Sequence, residues 1–105
     1  MRGRPADRHP GMVLRDLIDY ELVRLGKVTD DIPVAKSTVF RLRVPGAAFA
    51  TRTCTMFDRM FGWPMGFARY VLDGDIDSIE ASAARPDLRH WVVGELRKCH
   101  AGTRA

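Results

Sequence analysis

Residues 34–46 read VAKSTVFRLRVPG, and their spacing indicates how this region folds. Val39 and Leu42 lie three positions apart, with Val34 and Ala35 one turn earlier, so the stretch predicts a helix that buries a narrow apolar stripe. The other face carries cationic and hydroxyl side chains with one aromatic ring: Lys36, Ser37, Phe40, Arg41 and Arg43. A short two-faced helix of this kind is either an ordinary surface helix or one that lies in a groove of a partner.

Pro45 and Gly46 mark the end of this helix. Proline disfavours a helical conformation in the residue before it, and glycine readily accepts a left-handed turn. We therefore expect the helix to end near Val44, which leaves its outer face short and cationic.

The composition is that of one small globular domain with an excess of basic residues. The chain has 105 residues, of which 46% are hydrophobic, enough for a single modest core and too few for two independent ones. The 17 Lys and Arg residues against 13 Asp and Glu residues give a formal net charge of +4. This balance favours an acidic partner such as nucleic acid or an anionic surface.

The sequence shows no pattern typical of secretion, membrane insertion or metal binding. No apolar run reaches the length that spans a bilayer, and the basic N-terminus lacks the apolar segment of a secretory signal, which favours a cytoplasmic protein. Cys54 and Cys99 lie far apart, and a zinc site formed by them with His90 and His100 would lack paired ligand spacing. We therefore expect two buried thiols, no metal and no cofactor.

Helical periodicity begins after a short N-terminal stretch. Residues 1–11, MRGRPADRHPG, show no periodicity and are predicted to form a flexible basic arm. From Met12 to Gly26, leucine and isoleucine recur at three-and-four spacing, which predicts a long helix. The following KVTDDIPVA contains Pro33 and leaves room for at most a very short helix, capped by Thr29.

Three further helices and one weak helical patch are predicted after the quoted stretch. We expect a helix capped by Thr51 or Thr53, a helix with Pro64 in its first turn, a patch at 76–84 and a last helix opened by Pro86. No strand-like alternation appears. The predicted fold class is therefore all-α, a small bundle of about five to six helices with a shortened second helix.

Two stretches resemble one known family. VAKSTVFRL…PG is similar to the recognition helix of the Cro/C1-type (XRE-like) helix-turn-helix family, and MFDRMFGWPMGFARYVLDG is similar to the fourth and fifth helices of its phage and actinobacterial members. The resemblance covers about residues 14–74. It implies a helix-turn-helix DNA-binding domain at 12–74, with the arm at 1–11 before it and a C-terminal helical extension at 75–105, a candidate for dimerisation, after it.

The resemblance also implies which residues contact DNA. Lys36, Ser37 and Arg41 would face base edges in the major groove, since their donors suit guanine O6 and N7. Contacts with the DNA backbone, or support for the helix, would come from Thr38, Phe40, Arg43 and Arg52. For Phe40 two positions stay open, packing on a thymine methyl group or folding inward to fill space left by the shortened second helix.

The region before the quoted helix departs from the family pattern. Between Gly26 and Ala35 the chain is about one helical turn too short for the usual second helix, which crosses the phosphate backbone and braces the recognition helix. Ala35 also stands where the family prefers a Ser or Thr cap, and Asp30 or Asp31 would repel a phosphate. Either the chain keeps a single-turn second helix, or it braces the recognition helix differently.

The N-terminal arm contains a second DNA-binding pattern. Arg2, Gly3, Arg4 and Pro5 match the core of an AT-hook, in which extended backbone carries two arginines along a narrow A·T minor groove. The arms of homeodomains make a similar contact beside their recognition helix. The alternative for this stretch is a basic tail without a specific contact.

Apolar residues in the second half are expected to fill a core rather than to bind a cofactor. Those between positions 56 and 67 are Met56, Phe57, Met60, Phe61, Trp63, Met65 and Phe67. In the last helix one face carries Leu88, Trp91, Val92 and Leu96. That face is either packed within the domain or forms the seam of a homodimer.

Catalysis finds little support in the sequence, because Ser37, Ser78 and Ser82 have no convincing base partner. We therefore predict a sequence-specific DNA-binding transcriptional regulator, a phage or prophage immunity repressor or a Cro-like protein, that binds operator DNA. A recombination directionality factor or an autoregulating antitoxin is the alternative within DNA binding. A helical protein–protein adaptor is the alternative of another class.

Overall fold

The fold is entirely helical across the residues that the structure describes. This computed structural model describes the backbone of residues 8–103 and the side chains of residues 8–100. Within that part six α-helices and two 3-10 turns follow one another without a strand, so the all-α prediction is confirmed. The α-helices are α1 (Pro10–Leu25), α2 (Lys36–Phe40), α3 (Thr51–Phe61), α4 (Phe67–Asp73), α5 (Ile76–Ala81) and α6 (Pro86–Thr103). The 3-10 turns are Thr29–Asp31 and Arg41–Arg43.

Helix α1 begins two residues earlier than predicted. Pro10 occupies its first turn, where the missing proline N–H would have been unpaired in any case. The predicted arm therefore contributes only Arg8 and His9 to the described chain before the helix starts. Gly26 ends α1 in the left-handed conformation (φ 69°), as its position in the sequence predicted.

One 3-10 turn, Thr29–Asp31, stands between α1 and α2. Val28 rather than the predicted Thr29 occupies the cap position, and its N–H donates to Oδ2 of Asp31 at 2.8 Å. Ile32 follows in extended backbone and is buried, which fastens this segment to the core. The very short helix predicted in this segment is thus a single 3-10 turn.

The first turn of α3 is not capped in the predicted way. Thr51 and Thr53 both lie inside the helix, and Ala50 holds the cap position because its backbone is extended (φ −67°, ψ 150°). An alanine side chain cannot accept a hydrogen bond, so the first N–H groups of α3 have no side-chain cap.

Helix α4 begins at Phe67, later than predicted, and Pro64 lies in the loop before it. The reason is the buried carboxylate of Asp58 in α3, which accepts hydrogen bonds of 2.8 Å from the N–H groups of Gly66 and Ala68. These bonds cap α4 from a neighbouring helix. Burial raises the pKa of the Asp58 carboxyl, and the two N–H donors partly offset that effect.

The core is shared by both halves of the chain. Helix α1 packs against α4, α6 and the turn Arg41–Arg43. Of the apolar residues expected in the core, the buried ones are Phe57, Phe61, Trp63 and Phe67, and Met56 and Met60 pack at its edge. Met65 was expected there too, but it is 65% exposed because it lies in the loop between α3 and α4.

A buried carboxylate joins α1 to the second half of the chain. Glu21 is fully buried and accepts hydrogen bonds from Nε of Arg24 at 2.6 Å and from Nε1 of Trp63 at 2.8 Å. A guanidinium nitrogen of Arg85 donates to the same carboxylate at 3.3 Å. Burial by itself raises the pKa of Glu21, but the two hydrogen bonds and the charge of Arg85 outweigh it, so the pKa lies below its usual value.

Candidate nucleic-acid interface

Helix α2 and the turn Arg41–Arg43 form one short element with two faces, which we call the recognition element. Val39 and Leu42 point inward and are 1% and 0% exposed. The exposed residues on the other side are Lys36, Ser37, Phe40, Arg41 and Arg43. The helix begins at Lys36, and Ala35 holds the cap position in extended backbone (φ −61°, ψ 144°).

The N-terminus of α1 braces the recognition element from behind. Gly11 lies so close to the carbonyl oxygen of Leu42 that a Cβ atom at position 11 would overlap it. The imidazole Nε2 of His9 forms a hydrogen bond of 2.9 Å with the carbonyl oxygen of Arg43. Both alternatives considered for this region therefore occur together. The segment between α1 and α2 keeps a single helical turn, and α1 itself braces the recognition element.

The guanidinium of Arg41 contacts the loop that follows the recognition element. It donates a hydrogen bond to the carbonyl oxygen of Ala48 and lies 4.8 Å from the centre of the Phe49 ring. A cation over an aromatic face is attracted by the negative charge density of the ring. Arg41 is thus held in one place at the surface, although its side chain stays exposed.

Lys36 takes part in an ion pair at the start of the recognition element. Its Nζ lies 3.0 Å from Oδ1 of Asp30, and the two side chains are 77% and 67% exposed. Ion pairs this exposed are typically worth about 0–1 kcal/mol. Lys36 can therefore exchange Asp30 for another anion at little cost.

Phe40 points outward and is 60% exposed. The guanidinium of Arg43 lies 5.8 Å from the centre of its ring. Of the two positions considered for Phe40, the structure has the outward one. From the shortened connection, it is Ile32 that is buried in the core.

The remaining predicted contacts lie beside this face. Thr38 is half-buried in α2, and its N–H bonds to the carbonyl oxygen of Ala35 at 2.9 Å. Arg52 lies in the first turn of α3, is exposed, and forms no ion pair or side-chain hydrogen bond with the described residues. The uncapped N–H groups of that turn and the Arg52 charge together suit an anion.

Arg2, Gly3, Arg4 and Pro5 of the predicted arm lie outside the described residues. The described chain starts at Arg8, whose guanidinium bonds to Asp16 in α1 at 2.7 Å and to Glu95 in α6 at 3.0 Å. His9 then contacts the carbonyl of Arg43. The point from which the arm departs therefore lies beside the end of the recognition element.

The predicted seam on α6 is divided between the core and the surface. Leu88, Val92 and Leu96 are buried in the same core as α1. Trp91 is 39% exposed and borders a cavity of about 320 Å³ together with Leu17 and Tyr20 of α1.

Sequence patterns gave no indication of two residues that shape this site, Phe49 and Arg69. Arg69 in α4 donates a hydrogen bond of 2.6 Å to the carbonyl oxygen of Phe49, whose ring faces Arg41. These contacts hold the loop between the recognition element and α3. They join positions 20 residues apart, where neither helical periodicity nor a motif provides a signal.

The described part of the chain contains neither a cluster of metal ligands nor a membrane-spanning helix. No group of His, Cys, Asp or Glu side chains there is placed to hold a metal ion. Cys54 and Cys99 are separate buried thiols, and burial raises the pKa of each. No described helix has both the length and the apolar character needed to cross a membrane.

No protein-family model, curated protein or solved structure matches this chain.

Proposed function

We propose that this protein is a sequence-specific DNA-binding transcriptional regulator whose recognition element lies in the major groove. The observation that carries the proposal is the outer face of that element. It is exposed, it contains no carboxylate from Lys36 to Arg43, and it is held from behind by α1. As a phage or prophage repressor or a Cro-like protein, it would act on operator DNA in the bacterial cytoplasm.

The dimensions of the recognition element suit the major groove. Five α-helical and three 3-10 residues make an element roughly 13 Å long, similar to a groove width of about 12 Å. Lys36, Ser37 and Arg41 face outward as candidates for base edges. Arg41 uses one of the five N–H donors of its guanidinium on Ala48, so the others remain available for a base edge.

Phosphate contacts are proposed on both sides of this element. Arg43 ends it, and Arg52 lies beyond the intervening loop, with the uncapped first turn of α3. Neither arginine is paired with a carboxylate among the described residues. Such contacts position a protein on DNA without reading its sequence.

The arm is proposed to reach the adjacent minor groove. Seven residues precede Arg8, and an extended chain of that length spans up to roughly 25 Å. Because the arm departs beside Arg43, Arg2 and Arg4 could follow the groove next to the recognition element.

A homodimer would place two recognition elements on a symmetric operator. Trp91 and Tyr20, 39% and 53% exposed on adjoining faces of α6 and α1, are the candidates for its seam. Sedimentation over a range of concentrations measures this directly.

Selection from a random duplex library tests the proposed function. We expect one enriched motif, with half-site spacing if the protein dimerises, and a steep fall of affinity with salt, about −0.9 in log–log slope for each phosphate contacted. No enriched motif together with a flat salt dependence would contradict the proposal and favour the protein–protein adaptor. A recombination directionality factor or an autoregulating antitoxin would also enrich a motif. The genomic position of the bound sites would distinguish these two from a repressor.

A further inference from the structure

A groove runs along one face of α3. It has a volume of about 730 Å³, and its walls include Pro33, Arg52, Thr55, Met56, Arg59 and Met60. Pro33, which lies between the 3-10 turn Thr29–Asp31 and α2, lines the groove from outside α3. The groove therefore lies between α3 and the connection from α1 to α2.

The floor of the groove is apolar and adaptable. Met56 and Met60 lie four residues apart on one face of α3 and pack partly against the core. Pro33 forms the opposite wall. Methionine side chains are flexible and polarisable, so a Met-lined surface accommodates apolar side chains of different shapes.

The rim of the groove is cationic and unpaired. Arg52 and Arg59 lie seven residues apart on α3, which places them two turns apart on the same face, roughly 10 Å along the helix. Both are exposed, and neither forms an ion pair or a side-chain hydrogen bond with the described residues. No carboxylate lines the described part of the groove.

We propose that this groove binds an acidic amphipathic helix of another protein. Apolar side chains of such a helix, spaced three or four residues apart, would occupy the floor formed by Met56 and Met60. Its Asp or Glu residues, two turns apart, would pair with Arg52 and Arg59 through charge-assisted hydrogen bonds. A nucleic-acid backbone would use the two arginines but would leave the methionine floor unfilled.

This interaction would also regulate DNA binding, a consequence that rests on the proposed function. Arg52 belongs both to the groove and to the proposed phosphate contacts. An acidic helix in the groove would therefore compete with DNA for that arginine. Arg59 belongs to the groove alone, which allows the two functions to be tested separately.

A display library tests the groove directly. The probes are 16-residue peptides with leucine fixed at two positions four residues apart and every other position randomised, selected on the full chain. We expect Asp and Glu to be enriched on one helical face of the selected peptides. The affinity of one selected peptide for the wild-type protein is then measured by fluorescence anisotropy. The same measurement is made on two variants that each remove one positive charge, Arg59→Gln in the groove and Arg97→Gln on α6.

Arg59→Gln should weaken peptide binding by about tenfold, because it removes a charge-assisted pair. Arg97→Gln should change the affinity by no more than about twofold, because it removes an exposed charge away from the groove. Thermal melting of both variants checks that the fold is retained. Selected peptides without acidic enrichment, or equal binding by Arg59→Gln and wild type, would overturn the proposal. It would also be overturned if sedimentation showed a dimer of this chain that dissociates in Arg59→Gln, since a second copy would then occupy the groove. Failure of DNA binding alone leaves these results unaffected.

Discussion

The indole Nε1 of Trp63 donates a hydrogen bond of 2.8 Å to Oε2 of Glu21, although the two residues lie 42 positions apart. The carboxylate is fully buried, and the cations Arg24 and Arg85 reach it from the protein surface. This arrangement connects α1, the loop after α3 and the segment before α6. A buried charge is tolerated when donors and opposite charges surround it.

Glu21→Gln should lower the free energy of unfolding by about 1.5–3 kcal/mol, the range for a hydrogen bond to a charged group. Gln cannot accept from all three donors at once, and its own N–H groups face the arginines. Urea unfolding measures the loss. Asp19→Asn on the same helix is the control, because Asp19 is half-exposed and, among the described residues, pairs with Arg15 alone. A change within about 0.5 kcal/mol is expected there. Equal losses in the two variants would contradict the role of Glu21.

The stability that Glu21 contributes should depend on pH. Its pKa in the folded chain lies below the usual value, so the unfolded chain takes up this proton first as the pH falls. The contribution is complete above about pH 4.3, the ordinary value for glutamate, and is lost as the pH drops through the folded pKa. The free energies of unfolding of wild type and Glu21→Gln should therefore differ most near neutral pH and converge below about pH 4. A constant difference from neutral to acidic pH would refute this assignment.

Gly11→Ala should disrupt the brace behind the recognition element. The new Cβ would overlap the carbonyl oxygen of Leu42, and backbone there cannot move without displacing the turn Arg41–Arg43. Overpacking of this kind typically costs about 1–3 kcal/mol. Gly94→Ala in α6 is the matched control, because nothing lies near its Cβ position and alanine favours a helix by up to about 1 kcal/mol. The melting temperature should thus fall in Gly11→Ala and rise in Gly94→Ala. A change in the same direction in both variants would argue against the close contact between Gly11 and the carbonyl of Leu42.

Arg41→Ala should weaken operator binding by about 1–3 kcal/mol and relax the preference at one base pair. Arg52→Ala should weaken binding to all sequences alike and reduce the salt slope by about 0.9, as a phosphate contact does. Arg69→Ala is the control for Arg41, because Arg69 supports the same loop through Phe49 without belonging to the outer face. An equal loss of specific and non-specific binding in Arg41→Ala would contradict the base contact, and a smaller loss in Arg69→Ala would separate that contact from support of the loop. Competition binding with single-base operator variants measures these effects.

Deletion of residues 1–7 should weaken operator binding by at least about tenfold, or 1.4 kcal/mol, while the fold is kept. Arg8 is retained because it bridges α1 and α6. The loss should be largest with A·T pairs beside the site, where a narrow minor groove attracts arginine, and replacing them with G·C pairs should mimic the deletion. The full-length double variant Arg2→Gln, Arg4→Gln controls for chain length. An unchanged ratio of affinities for the two flanks would show that the arm makes no minor-groove contact.

The helices of this protein were largely predictable because their signals are local. The spacing of leucines predicted α1, and Gly26 predicted its end. The spacing of Val39 and Leu42 among cationic residues predicted the two faces of the recognition element. Side-chain spacing and the backbone preferences of proline and glycine act within a few residues. The sequence by itself therefore determined an all-α chain with a short cationic element after a curtailed second helix.

Only the tertiary structure decided how these elements are capped and braced. Asp58 in α3 caps α4, and Gly11 leaves room for the carbonyl oxygen of Leu42. The side chain of Arg41 bonds to the loop that follows the recognition element. Glu21 of α1 is fully buried, and donors from two other segments of the chain reach its carboxylate. Such contacts join positions far apart in the chain, and the burial of a polar group depends on which donors the fold brings to it. No spacing within one helix contains that information.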